Sequence, residues 1–110
     1  MEIDIKAVLD ILKSGVIDLA NKSYKTHVKE AVSDGHTAIN DLKEKIESWT
    51  IWLAAGGIDR EEFESLVLGE KDLLKIKALT QAGYALIRID QFKRDIFDLI
   101  INTITSAVLP

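Results

Sequence analysis

Three side chains with metal-binding chemistry, His27, Glu30 and Asp34, stand at i, i+3 and i+7. On a helix those offsets bring an imidazole and two carboxylates to neighbouring parts of one face. The set resembles half of a carboxylate-bridged metal site. Di-metal bundles, however, carry a Glu-x-x-His pair on each of two helices, with further glutamates from the others. Here the order is His-x-x-Glu, it occurs once, and His36 is the only other histidine. With so few ligands the sequence predicts a solvated face, no metal centre and no cofactor.

Other chemistries have less support. The chain has no cysteine, and no Gly-x-Ser-x-Gly turn from which to project a serine nucleophile. Ser14, Ser23, Ser33 and Ser48 are scattered helix residues without a convincing base. Gly56-Gly57 lacks the lysine and spacing of a phosphate-binding loop. Glu61, Glu62 and Glu64 could suggest acid–base work, but carboxylates in a first helical turn are explained by the helix dipole. The expectation is a protein that is not an enzyme.

Charge narrows the partners. The net charge is −4, with acidic bias at residues 1–20 and 56–69. No basic stripe exists to follow a phosphate backbone, so nucleic acid is not an expected partner. An acidic first helix argues against docking on an anionic membrane. No apolar run reaches the roughly 18 residues a spanning helix needs, because Asp98 and Asn102 interrupt the stretch from Ile96 to Leu109. Met1-Glu2-Ile3-Asp4 does not read as a signal peptide. With no cysteine, the cytoplasm is the default compartment.

The elements that must carry these residues read as helices throughout. A length of 110 residues predicts one domain, residues 1–110. The only proline is Pro110, so glycines supply the punctuation. Val28, Val32, Gly35, Ile39, Leu42, Ile46, Trp49 and Leu53 alternate spacings of 4 and 3, one face of a helix. Gly35 in that seam could let a second helix approach closely. Gly56-Gly57 ends the helix, and Asp59 and Glu62 form a capping-box pattern for a short helix over 59–68, with Ile58 placed to staple to Phe63. From residue 70 to 108 the rhythm Ala78, Ala82, Ala85, Ile89, Phe92, Ile96, Leu99 predicts a second long helix, with Gly83 as a kink. Its three alanines offer a shallow groove for Trp49 and Trp52. The stripe Ile5, Leu9, Leu12, Val16, Leu19 is helical but out of phase with the Val28 seam. It is either continuous with the seam through a stutter or separated by a break near Ser14-Gly15 or Asn21-Ser23.

The predicted fold is therefore all-α. It is an antiparallel long-helix hairpin, or small helical bundle, with arms at about 23–55 and 70–108 and a short connecting helix. An N-terminal helix or dimerisation completes it. Mean hydropathy is slightly positive at +0.09, and the surplus concentrates at the chain ends. Ile11 and Ile17 fall off the first stripe, and Phe97, Ile100, Ile101 and Ile104 crowd the last helix around its polar stripe. Apolar surface on two sides of a helix means either mutual burial or an interface. The expected function is a small protein-binding or assembly module acting as a homo-oligomer, a dimer, with another protein as a further partner. Ile11, Ile17, Trp52, Phe97, Ile100, Ile101 and Ile104 are its candidate interface. The alternative is a carrier of a small apolar ligand in a bundle cavity, and a metal-carboxylate enzyme ranks third.

Overall fold

The seam from Val28 to Leu53 becomes the core face of two consecutive helices in a computed structural model that describes residues 4–109. Met1 to Ile3, part of the stretch read for a signal peptide, and Pro110 lie outside the described residues. Every regular element among the described residues is helical. In order they are α1 (Ile5–Ser23), α2 (Val28–Asp41), α3 (Lys43–Ala54), α4 (Arg60–Leu68), α5 (Ala78–Gln81) and α6 (Leu86–Val108), with a 3-10 turn at Lys71–Leu73. The result is a small helical bundle about 43 × 23 × 21 Å in extent.

The phase change between Ala20 and His27 is a break. Asp4 caps α1, its carboxylate accepting from the Ala7 amide at 3.1 Å, and α1 ends at Ser23. Tyr24 to His27 turn the chain so that α2 runs back along α1. His36 reaches the Lys13 carbonyl at 3.1 Å, and Gly35 lies so close to Val16 that a Cβ there would overlap the valine side chain. The close approach expected of Gly35 is thus made, and α1 is its partner. The first arm, expected as one helix over about 23–55, is divided: at Leu42 (φ −95°, ψ 2°) the chain leaves α2 and enters α3. The core face carries through this bend, since Ile39, Leu42, Ile46, Trp49 and Leu53 are all buried.

The elbow follows its sequence pattern. Gly56 sits at φ 79°, a conformation that costs glycine little. The Glu62 amide donates to Asp59 at 2.8 Å, and the Asp59 amide donates to Glu62 at 3.1 Å, completing the capping box of α4. Phe63 is buried edge-on to Trp49, ring centroids 6.3 Å apart.

The long helix expected over 70–108 is divided, which corrects the second arm. Leu74 to Lys77 are non-helical, α5 is four residues long, and Gly83 adopts φ 98°. Two causes act together. The Ala78 and Leu79 amides donate to Asp34 of α2 at 2.9 and 2.8 Å, which starts α5 in place. The positive φ at Gly83 then ends it. Ala78 and Ala82 are therefore on α5, which packs on α2, and Ala85 precedes α6, so the three alanines form no continuous groove for the tryptophans. Trp49 packs on Phe63 instead.

Helix α6 lies antiparallel to α1. Leu99 fills the space over Gly15, and Arg88 donates to the Ser23 carbonyl at 3.0 Å. One core, drawn from α1 to α6, joins them all.

Candidate interaction surface

Phe97, Ile100, Ile101 and Ile104 face this core and are buried within the single chain. That takes them off any surface the folded chain offers. A helix with several neighbours needs a wide apolar arc, and α6 packs on α1, α3 and α4. The other three expected interface residues are at the surface: Ile11 at 56%, Ile17 at 41% and Trp52 at 49% exposure. They do not form one patch. Ile11 borders a groove with Asn102, Thr103, Ser106 and Ala107 of α6, whereas Trp52 belongs to α3.

Trp52 lies in a groove between α3 and α4. Its walls are Ser48, Trp49, Trp52 and Leu66, and its rim carries Glu44, Lys45 and Glu70. Trp49 points into the core and Trp52, three residues on, is rotated outward, so one indole anchors the helix and the other remains half exposed. Leu66 faces Trp52 from α4, because Phe63 and Val67 occupy the buried side of that short helix. Lys45 and Glu70 meet at 2.7 Å across the groove's end. The second oxygen of Glu70 is buried and has no hydrogen-bond partner among the described residues.

The ligand-like trio takes a different form from the one expected. Asp34 is only 4% exposed and spends both oxygens on the α5 amides, so it is a tertiary helix cap and not part of a solvated face. His27 contacts the Tyr84 hydroxyl through Nδ1 at 3.2 Å and the Thr26 hydroxyl at 3.1 Å. Among the described residues no group of three or more His, Cys, Asp or Glu side chains is placed to hold a metal ion.

Around His27 stands a cluster that the helical rhythm did not reveal. Tyr24 is buried at the α1–α2 turn, edge-on to Phe92 at 5.2 Å and tilted against Tyr84 at 5.7 Å. The Arg88 guanidinium lies 4.8 Å from the Tyr24 ring centre and 5.7 Å from that of Tyr84. Burial pushes the Tyr24 hydroxyl above its ordinary pKa. Asp95 adds to that rise, Arg88 opposes it and Tyr84 adds a little more. These groups lock the turn together, and α6 then presents Leu86 and Ile87 to solvent at 79% and 78% exposure. Both lie off the Ile89–Phe92 seam, and that off-phase position in the sequence is the signal that could have found them.

No family model matches the chain, and comparison with curated proteins and solved structures finds no match. None of the described helices is long and apolar enough to cross a membrane.

Proposed function

We propose that this chain is a helical protein-binding and assembly module that associates with copies of itself in the cytoplasm and performs no catalysis. The observation that carries the reading is the α3–α4 groove, where a half-exposed tryptophan and Leu66 face each other with charged residues at the rim. Tryptophan, with tyrosine and arginine, is enriched among the residues that anchor interfaces, at the centre of a patch ringed by contacts that exclude water. Covering the exposed half of such a side chain contributes on the order of 1 kcal/mol, one share of what an interface needs to offset the cost of association. The carrier reading has less support, since large side chains such as Tyr24, Phe63, Phe92 and Phe97 occupy the interior where a ligand would lie.

The test is absolute mass by light scattering after size exclusion, over a range of concentrations. The reading expects a mass near twice 12.3 kDa or above. Trp52→Ala should weaken association by about tenfold or more while leaving thermal stability close to the parent's. A parent that stays at 12.3 kDa at every concentration overturns self-association.

A further inference from the structure

We infer that the α3–α4 groove of one copy receives the opposite tip of a second copy, where the α1–α2 turn meets the first turn of α6. The inference rests on the self-association reading and specifies which two surfaces meet.

The chain's charge is divided between these places. Residues 59–70, α4 and its flanks, hold Asp59, Glu61, Glu62, Glu64 and Glu70 against Arg60 alone. That excess of four carboxylates equals the net charge of the whole chain, so the remainder is neutral. On the groove's rim Glu44 adds a carboxylate along α3, while Lys45, among the described residues, pairs with Glu70 alone. The tip is the reverse. From Lys22 to Lys29 there are three exposed lysines and no carboxylate; Lys22 shares a hollow with Asp95 and Asp98 of α6, so Lys25 and Lys29 carry the tip's positive charge. The Arg88–Ser23 and His27–Tyr84 contacts hold α6's first turn against this basic stretch. Leu86 and Ile87 therefore project beside the lysines, the most exposed large apolar side chains among the described residues.

Each surface thus has an apolar centre and a charged surround, and the two charges are opposite. Groove against groove would set two acidic rims together, and tip against tip would set lysines together. Groove against tip matches apolar to apolar and acid to base. The two surfaces also lie apart on the molecule. The turn sits at the start of α2, and the chain runs away from it through α2 into α3, in a molecule 43 Å long. Every copy offers one of each, so the contact is head-to-tail and builds either a closed ring or an open filament.

Two complementary variants test this. A tip variant, Lys25→Glu with Lys29→Glu, keeps an intact groove, and a groove variant, Trp52→Lys, keeps an intact tip. Each alone should associate about tenfold or more weakly than the parent, because like charges now face each other or the anchor is gone. Mixed in equal amounts, they should recover a pair near twice 12.3 kDa, since one sound groove then meets one sound tip. Raising salt from about 0.05 to 0.5 M should weaken the parent's association severalfold through screening. Circular dichroism checks folding, and Leu86→Ser with Ile87→Ser, or Glu44→Lys with Glu61→Lys, replaces any variant that fails it. A parent that associates while the tip variants associate equally well, or while the mixture stays monomeric, overturns the groove-to-tip pairing and leaves self-association standing. A parent that is monomeric throughout overturns both.

Discussion

Two backbone amides, those of Ala78 and Leu79, converge on the carboxylate of Asp34. A helix's first amides have no partner within the helix, and here a residue over forty positions away in the sequence supplies one. Asp34→Ala should cost about 1–3 kcal/mol, the penalty for stranding buried donors. Thr37→Ala, exposed on the same helix, should stay within about 0.5 kcal/mol, as surface changes do. Urea unfolding of the two variants measures the difference, and equal losses would remove the capping role. Tyr24 offers a second residue-level expectation. Its hydroxyl holds its proton more firmly in the folded chain than in the unfolded one. Its share of stability is therefore intact below the unfolded value of about 10 and is lost as pH rises through the higher folded value. Melting temperatures of the parent should fall more steeply above about pH 10 than those of Tyr24→Phe. Parallel curves would show that Tyr24 ionises no less readily when folded.

Helix–helix spacing is set by glycine where α1 meets α2 and α6. Gly35 admits Val16 of α1, and Gly15 of α1 admits Leu99 of α6. Gly35→Ala should destabilise the fold by about 1–3 kcal/mol through overpacking. Adding Val16→Ala should return part of that loss, and thermal unfolding of the double-mutant cycle would show the coupling. Additive losses would mean that the two residues do not share the contact. The elements whose order is local were legible in the sequence. The Val28–Leu53 seam, the Gly56-Gly57 stop and the Asp59–Glu62 box each depend on residues within a few positions of one another. The division of the 70–108 segment was not legible, because its cause is tertiary. The alanine rhythm favours a helix, and only a carboxylate from α2 and the left-handed Gly83 redirect it. Polar side chains misled for the same reason: Asp34 sits on a face that reads as solvated until α5 packs over it.

For the whole molecule, the candidate surface was partly readable. Ile11 and Ile17 were legible as residues standing off their helical stripe, whereas Trp52 read equally as a filler of the alanine groove and as an interface residue; all three are exposed. Phe97, Ile100, Ile101 and Ile104 were not separable from them, because a long apolar arc looks alike whether other helices of the same chain or a second chain cover it. Folding decides between them by giving α6 three neighbours. The acidic bias of the 59–70 segment is plain in sequence, but the lysines of the Lys22–Lys29 turn are hidden in a stretch, 21–55, whose charges balance. That the two lie apart follows only from the path of the chain. Ile100→Asp is accordingly expected to unfold the monomer, at a cost of several kcal/mol for a buried unpaired carboxylate. Loss of helicity by circular dichroism would separate that outcome from a dissociated but folded chain.

The Asp34 cap also implies an order of events in time. Four residues are far too few to hold a helix in water by themselves, so α5 has little reason to form until α2 presents its carboxylate. The path from Leu74 to Gly83 would then be laid down late, as a clasp closed over an already paired α1 and α2. Amide hydrogens of Ala78 and Leu79 would exchange with solvent each time that clasp opens, while those deep in α1 would wait for the whole chain to unravel. A segment that reads as the middle of a rod would let go before the paired helices it closes over.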